Sequence, residues 1–269
     1  MPHASVKAAT TMQRLDRWLA QATGASRSEV REWLRAARVR VEGRGVVRDP
    51  SVKIPQDAHV AVDGDWIESP GPVTIMLHKP AGVVSATRDA SLPTVLGLIN
   101  APFAGRLRIV GRLDRDATGL LLLTDDGDYL HRVAKPGGAW KRYRVTLASP
   151  LTDAMADALR AGVALRDDPV PARACALDCC VLDSSYGVTI GGGESLNDIA
   201  EIQQRRVWQI AIDEGRYHQV KRMFAAVGAH VSRLHREAIG ALELDKELVA
   251  GRWRRLSDAE RSKALTQIR

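Results

Sequence analysis

The sequence places a carboxylate between two arginines in a polar segment. Asp114 follows Arg112 and precedes Arg115, within a run that starts at Gly111. Neighbouring guanidinium groups favour the ionised form of a carboxylate, and they can also bind a phosphate. An Asp that caps a turn or pairs with its neighbours shows the same local pattern. The spacing alone favours that structural interpretation.

Two further side chains have chemistry that suits a nucleic-acid site. Tyr143 alternates with charged neighbours and lies on the apolar face of a predicted strand. It is there either as a core residue or as a ring on which a flipped base stacks. Lys221 lies at the edge of the buried stripe of a predicted helix, so its ammonium can reach an interior carboxylate, whereas Arg222 faces outward. An ordinary amphipathic helix with a basic surface is the alternative.

Predicted strands hold the segment that contains Asp114. Thr74–Lys79 is a mostly apolar strand that ends at a Pro-Ala-Gly turn, and alternation over 106–109 predicts another strand. The apolar run 120–123 is consistent with a buried strand. A loop fixed between two core strands can position a reactive group well. Beyond it, Asp128 is predicted to cap a helix over 129–135.

A small module precedes these elements. Apolar residues at helical spacing predict one helix over 15–22 and a second with its stripe over 30–37. Ser26 and Glu29 have the spacing of a capping box at the start of the second helix. Alternation at Val39–Val41 then predicts a short strand that enters a hairpin.

Positive charge is concentrated in this module. Residues 1–62 carry 11 Lys/Arg and six Asp/Glu, which is a net +5 of the chain's +7. The arginines on one flank of the second helix and at its exit are Arg27, Arg31, Arg35 and Arg38. They form either a solvated basic face or a phosphate-binding ridge. The sequence pI of about 9.6 favours a polyanionic partner, either nucleic acid or an anionic membrane surface.

Composition restricts the setting. The 269 residues suit a small domain followed by a larger one. Three clustered cysteines lack zinc-ligand spacing and the seven histidines do not complete a site, so we expect no metal and a reducing compartment. The N-terminus has no signal-peptide core, and no stretch approaches the roughly 20 apolar residues of a membrane helix. We expect a soluble, cytoplasmic protein without a membrane partner.

The front module resembles the S4 RNA-binding domain. The resemblance rests on Arg14-Leu15-Asp16, Ser26-Arg27-Ser28 and the run from Arg38 to Gly43. Members of that family bind structured RNA with two helices and a small sheet, so the resemblance implies RNA as the anion. We expect a flexible leader over 1–11, an S4-like domain over 12–62 and a linker over 63–73.

The second part resembles the pseudouridine synthase superfamily. Three segments carry the resemblance in the family's order: Lys79 to Ser85, Gly111 to Leu121, and Glu214 to Phe224. They look most like its RsuA branch, which modifies small-subunit ribosomal RNA. The resemblance implies an α+β protein whose catalytic domain, 74–269, has a mixed, mainly antiparallel sheet flanked by helices. A stretch at about 191–205 departs from the family as an insertion.

The resemblance also implies roles for individual residues. Asp114 matches the family's essential aspartate, Tyr143 the tyrosine that packs on the target uracil, and Lys221 the basic residue that pairs with the aspartate. Arg112 matches an arginine that helps to hold the flipped-out nucleotide, and Leu234 an apolar wall of the pocket. The further candidate RNA contacts are Arg27, Arg31, Arg35, Arg38, Arg216 and Arg222.

The resemblance therefore implies an enzyme that converts a uridine of ribosomal RNA to pseudouridine without a cofactor. We expect 16S ribosomal RNA or an assembling small subunit as its partner, and a monomeric protein. Two alternatives stay open. One is a synthase for large-subunit (23S) ribosomal RNA, and the other is a non-catalytic RNA-binding factor for ribosome assembly.

Overall fold

The computed structural model describes residues 12–180 and 205–266, except residues 68, 70 and 102. The predicted leader 1–11 and the predicted insertion at about 191–205, apart from Arg205, lie outside the described residues. The chain divides after residue 73 into two compact units, with 100–107 assigned to the first and 74–99 with 108–266 to the second. The predicted catalytic domain, 74–269, includes the segment 100–107, which the structure assigns to the first unit.

The first unit contains two helices and six short strands among its described residues. In chain order they are β1 (Met12–Arg14), α1 (Leu15–Thr23), α2 (Arg27–Arg35), β2 (Val39–Val41), β3 (Gly45–Val46), β4 (Lys53–Pro55), β5 (Val60–Val62) and β6 (Asp65–Ile67). Strands β1 and β4 pair with each other, and the antiparallel order β3-β2-β5-β6 forms the second sheet. The two predicted apolar stripes meet in the core, where Trp18 of α1 and Val30 of α2 are fully buried.

The predicted start of α2 is confirmed by its backbone contacts. The Ser26 side chain accepts a hydrogen bond from the Glu29 N–H, and the Glu29 carboxylate accepts one from the Ser26 N–H. Together these bonds satisfy donors that a helix start otherwise leaves without partners. The end of α2 differs from the prediction, since Ala37 has a left-handed φ of 60° and lies beyond the helix.

Part of the predicted linker 63–73 is a strand. Asp63 and Gly64 have φ values of 55° and 93°, which is the backbone of a two-residue hairpin turn. The turn folds β6 back onto β5, with Val62 opposite Asp65. Asp-Gly between short apolar runs is a strong hairpin signal, so the local sequence was sufficient to predict this strand.

The second unit is built on one mixed sheet with helices, which confirms the predicted α+β class. Its strands are β7 (Thr74–Lys79), β8 (Arg108–Val110), β9 (Thr118–Thr124), β10 (Lys141–Leu147), β11 (Ala176–Cys179), β12 (Val207–Ile212), β13 (Val231–Ile239), β14 (Leu242–Glu243) and β15 (Trp253–Arg255). Its helices are α3 (Gly127–Ala134), α4 (Asp153–Ala161), α5 (Gln219–Ala226) and α6 (Asp258–Lys263). Short 3-10 turns lie at Leu96–Leu98 here and at Ala104–Arg106 in the first unit.

The sheet runs in the order β11-β12-β10-β13-β9-β7-β15, with β14 added to β13 and β8 to β9. The described pairs are antiparallel except for β13 and β9, which are parallel. The apolar run in β9 is fully buried, as predicted. The cap of α3 is Asp126, which accepts a hydrogen bond from the Tyr129 N–H, and the prediction of Asp128 is wrong because the helix begins at Gly127.

None of the helices within the described ranges is long and apolar enough to cross a membrane.

The segment that contains Asp114 connects the antiparallel strands β8 and β9, in which Ile109 pairs with Leu123 and Val110 with Leu122. The segment 111–117 is therefore a loop between two paired strands.

A glycine permits the close approach of β9 to β13. Gly119 lies opposite Arg236 with φ 108°, and a Cβ on it would lie 2.2 Å from the Arg236 carbonyl oxygen. We predict that Gly119→Ala lowers the free energy of unfolding by about 3 kcal/mol or more, from steric overlap and backbone strain. Urea denaturation measures this change.

Gly127→Ala is the matched control. A Cβ at Gly127, the first residue of α3, would meet no atom within 4 Å, so we expect unchanged stability or a gain of up to about 1 kcal/mol. Equal stability of the two variants would contradict the close contact between β9 and β13.

Candidate active site

A cavity of about 600 Å³ opens in the second unit beside Asp114. Buried residues of three neighbouring strands line it, including Tyr143 of β10, Ile212 of β12 and Leu234 of β13. The loops 111–115 and 214–218 line it as well. Its volume is in the range of pockets that hold small organic ligands, roughly 300–1,000 Å³, and a single nucleotide is of that size.

The Asp114 carboxylate forms an ion pair with Lys221. The Lys221 Nζ lies 3.0 Å from Asp114 Oδ2 and 2.6 Å from Asp116 Oδ1, so one ammonium serves two carboxylates of the same loop. His218 Nε2 lies 3.5 Å from the other oxygen of Asp114. The structure thus joins a loop and a helix that are more than a hundred residues apart in the chain.

The charges of this cluster stabilise one another. Burial lowers the pKa of Lys221, but its hydrogen bonds to Asp116 and Asp114 outweigh that effect, so the pKa lies above its ordinary value. The hydrogen bond from Lys221 in turn lowers the pKa of Asp116. The side chain of Asp114 is only 20% exposed, whereas that of Asp116 is 74% exposed. Of the two carboxylates that Lys221 contacts, Asp114 is therefore the sheltered one, and it lines the cavity.

Lys79 fixes the main chain of the Asp114 loop. Its side chain is fully buried, and Nζ donates hydrogen bonds to the carbonyl oxygens of Pro80, Arg115 and Ala117 at 2.9, 3.2 and 2.8 Å. Burial lowers the pKa of Lys79 to about 8. The ammonium thus has main-chain acceptors in place of water, and two buried carbonyl groups of the loop have a hydrogen-bond donor.

A second clamp acts one residue before Asp114. The buried Ser85 hydroxyl donates to the Leu113 carbonyl oxygen at 2.7 Å and accepts from the Leu113 N–H at 3.1 Å. The Gly82 N–H also donates to the Arg115 carbonyl oxygen, at 2.8 Å. The segment from Lys79 to Ser85 therefore holds the loop on both sides of Asp114. The segment that carries part of the family resemblance therefore has a physical role in fixing the loop.

Tyr143 and Arg236 face each other across β10 and β13. The two residues are register partners, and Arg236 Nη1 lies 3.4 Å from the Tyr143 hydroxyl. The Arg236 side chain is 2% exposed and also donates to the carbonyl oxygens of Leu120 and Arg112 at 2.7 and 3.3 Å. It therefore connects the tyrosine to the start of the Asp114 loop and to strand β9, which follows the loop.

Lys141 lies on the same face of β10 as Tyr143, two residues earlier. It lines the cavity and is 8% exposed, and its Nζ has no hydrogen-bond partner among the described residues. Burial lowers its pKa to about 8, and the charge of Arg236 acts in the same direction. Sequence reasoning missed Lys141, although its spacing of two from Tyr143 on a strand places both side chains on one face.

The arginines predicted to contact RNA have different surroundings. Arg112 is exposed and lines the cavity. Arg216 pairs with Asp168 and Glu214 at 2.9 Å each. Arg222 was expected to face outward, but it is half-buried and donates to the carbonyl oxygens of Arg166 and Tyr217. The structure thus uses Arg216 and Arg222 to hold the loops around the cavity.

In the first unit, Arg27, Arg31 and Arg35 are exposed, and none of them forms an ion pair with a described carboxylate. Arg38 is also exposed, but its guanidinium forms a two-bond ion pair with Asp63. The carboxylate that balances Arg38 comes from the hairpin turn that was predicted as linker. Three of the four arginines on this flank keep their charge available.

Two more residues beside Asp114 were not predicted. His218 has a left-handed φ of 47° immediately before α5, and its ring stacks on Tyr217 with centroids 4.0 Å apart. The Tyr217 ring is 77% exposed at the cavity.

No group of His, Cys, Asp and Glu side chains in the described part of the chain has the arrangement to hold a metal ion.

Comparisons with known proteins identify relatives for both units. Residues 73–226 match the family model of RNA pseudouridylate synthase, and residues 13–60 match the S4 domain. The chain is 41% identical over 249 residues to ribosomal small subunit pseudouridine synthase A of Yersinia pestis, which covers 92% of this chain and 96% of the relative. The protein of the same name from Escherichia coli strain K12 is 40% identical, with 92% and 97% covered.

A solved structure is similar as well. The crystal structure of a pseudouridylate synthase is 35% identical and superposes with a TM-score of 0.60, covering 93% of this chain and 99% of that one. The similarity therefore extends across both units and not only over the matched motifs.

The clamp by Lys79 can be tested through stability. We predict that Lys79→Met lowers the free energy of unfolding by about 2–3 kcal/mol, because the substitution removes the hydrogen bonds to the carbonyl oxygens of Pro80, Arg115 and Ala117. Lys246→Met, at an exposed lysine of the same unit, is the control and should change stability by less than about 0.5 kcal/mol. Urea denaturation that gives the same midpoint for both variants would contradict the clamp.

Proposed function

The chain belongs to the RNA pseudouridylate synthase family, and we propose that it converts a uridine of small-subunit ribosomal RNA to pseudouridine, with Asp114 as the catalytic carboxylate. The ion pair between Asp114 and Lys221 at the edge of the cavity is the observation that carries this proposal. Tyr143 lines the same cavity and offers an aromatic ring to a base that has left its stack. Flipping a nucleotide costs a few kcal/mol, which contacts in the cavity would offset.

The reaction breaks the C1′–N1 bond of uridine, turns the uracil and forms a C1′–C5 bond. It involves no redox step and no net hydrolysis, so acid–base and carboxylate chemistry suffice. A carboxylate has three ways to begin. It can attack C1′, add to C6 of the base, or remove the proton from C2′ to give a glycal. Lys221 holds the Asp114 carboxylate by an ion pair in each of them.

Binding of RNA falls to both units in this proposal. The S4 match covers the exposed Arg27, Arg31 and Arg35, whose charges are available for phosphates. Exposed Arg112 lies on the cavity beside Asp114, where it can contact the phosphate of the target nucleotide. Arg38, Arg216 and Arg222 contribute by fixing the turns and loops that present these groups.

The choice of the small-subunit RNA rests on the names of the two curated relatives. We further propose the cytoplasm as the compartment and a monomer as the working state. A large-subunit synthase and a non-catalytic assembly factor are the competing proposals. Mapping pseudouridine in both ribosomal RNAs of a strain that lacks the gene separates the first, and tritium release from 5-tritiated uridine in RNA separates the second.

We predict that Asp114→Asn reduces tritium release from 16S ribosomal RNA by at least about 1,000-fold, because the amide cannot act as a base or an anionic nucleophile. RNA binding should stay within about threefold, since Asp114 is not a phosphate contact. Asp128→Asn, at an exposed carboxylate of the same unit, is the matched control and should retain full activity. Substantial product from the Asp114 variant would disprove its catalytic role.

A second prediction concerns the basic flank of α2. Replacing Arg27, Arg31 and Arg35 together by Gln should make the negative slope of log affinity against log salt less steep by about 2, because three phosphate contacts are lost. Arg14→Gln serves as the control, since the Arg14 guanidinium is already paired with Asp16 at 2.8 Å. Filter binding over a salt series measures both slopes, and an unchanged slope for the triple variant would remove this flank from the RNA interface.

A further inference from the structure

Two buried cations in the cavity have donors without acceptors. Lys141 Nζ and Arg236 Nη2 are inaccessible, and neither has a hydrogen-bond partner in the part of the chain that the structure describes. Both residues line the cavity, and their exposed fractions are 8% and 2%. The remaining nitrogens of Arg236 are used by the Leu120 and Arg112 carbonyls and the Tyr143 hydroxyl. The Lys141 ammonium and one Arg236 nitrogen therefore have donor capacity, beside the cavity, that no described residue uses.

The fold by itself does not require the charge of Lys141. Burying an ammonium without an acceptor costs free energy, and the like charge of Arg236 adds to this cost. Asp213 interacts with Lys141 electrostatically but forms no ion pair with it within the described ranges. An anionic or carbonyl-rich ligand in the cavity would relieve both the missing acceptors and the repulsion.

We propose that Lys141 and Arg236 bind the carbonyl edge of the target uracil and stabilise the negative charge that it acquires when the C1′–N1 bond breaks. This inference rests on the proposed function, since it deepens the role of the same cavity. It makes Lys141 and Arg236 catalytic residues beside Asp114. Lys221 serves the opposite purpose, because it balances the carboxylate.

The electron count of the reaction explains why such a site is needed. When C1′–N1 breaks, both bonding electrons stay with the base, and the resulting uracil anion spreads its charge over N1, O2 and O4. An electron pair of the anion then forms the bond from C5 to C1′. C5 afterwards loses its proton, and N1 takes up a proton. In each of the three routes open to Asp114, negative charge reaches the carbonyl oxygens of the base, so the site serves all of them.

Burial decides between the base and a phosphate as the ligand of this pair. The RNA backbone stays near solvent, where the exposed Arg112 and Arg115 line the cavity. Lys141 and Arg236 are instead the buried charged residues of the described lining, which they share with Tyr143 and apolar side chains of β12 and β13. A flat base that has entered the cavity can reach them, and buried cations act on a developing charge more strongly than exposed ones.

The first test measures the chemical step under single-turnover conditions with saturating enzyme and a uridine-containing ribosomal RNA fragment. Lys141→Met should lower the rate constant by about 100- to 1,000-fold, the usual effect of removing one group that stabilises an anionic transition state. Lys141→Arg should recover part of the rate, because it restores the charge. Lys246→Met, at an exposed lysine, should match the wild type.

The second test changes the leaving base. A fluorine at C5 withdraws electrons and stabilises the uracil anion, so cleavage of C1′–N1 in 5-fluorouridine RNA depends less on the protein. We expect Lys141→Met to slow this cleavage at least tenfold less than it slows the reaction of uridine, as measured by mass spectrometry of the digested RNA. Equal slowing of both substrates would overturn the proposal in favour of a role in cavity shape.

The third test uses stability and affinity. Because Lys141 Nζ has no described partner, Lys141→Met should raise the melting temperature of the full-length protein while the rate falls. A lower melting temperature would identify a structural lysine, and a weaker RNA affinity with a flatter salt dependence at an unchanged rate would identify a phosphate contact. Either result overturns the inference.

Failure of the inference and failure of the proposed function are distinguishable. If the wild-type protein forms no pseudouridine in ribosomal RNA, the proposed function fails. If the wild type is active and Lys141→Met is equally active, only the role of the cation pair fails.

Discussion

The buried ammonium of Lys79 is the contact on which the geometry of the site depends. It replaces water for three carbonyl groups, two of which belong to the loop that carries Asp114. Main-chain carbonyls inside a protein need donors, and a loop without them would have to open toward solvent. The cost of burying this charge, visible in the lowered pKa of Lys79, is offset by those acceptors. Because the loop is fixed in this way, Asp114 meets Lys221 from a defined direction.

The cations in and around the cavity differ in the groups that their charges serve. Lys79 serves the main chain, Lys221 serves two carboxylates, and Arg216 braces Asp168 and Glu214. Lys141 and one nitrogen of Arg236 are left with no described partner. A protein keeps such groups at a cost in stability when a ligand needs them. Four carboxylates of the site thus have a cation as partner, whereas Lys141 and one Arg236 nitrogen keep donors that a bound substrate could use.

Local patterns predicted most of the elements, and each failure has a physical cause. The capping box of α2 and the buried run in β9 were predicted correctly, because both depend on residues close in sequence. Strand β6 was not predicted, although Asp63-Gly64 is typical of the turn that precedes it. The prolines and glycines that follow favoured a linker instead. The assignment of 100–107 to the first unit could not be read locally, because nothing in a short segment states which core it joins.

The sequence by itself determined the family, the two-part organisation and the identity of Asp114, Tyr143 and Lys221 as candidates, because motif order and residue type are properties of the chain. Only the tertiary structure decided how their charges are balanced. It brought Lys221 to Asp114, directed Arg216 and Arg222 to the surrounding loops, and left Lys141 buried without a described acceptor. Burial and pairing depend on residues that are distant in sequence and adjacent only in the folded sheet, so no local pattern contains them.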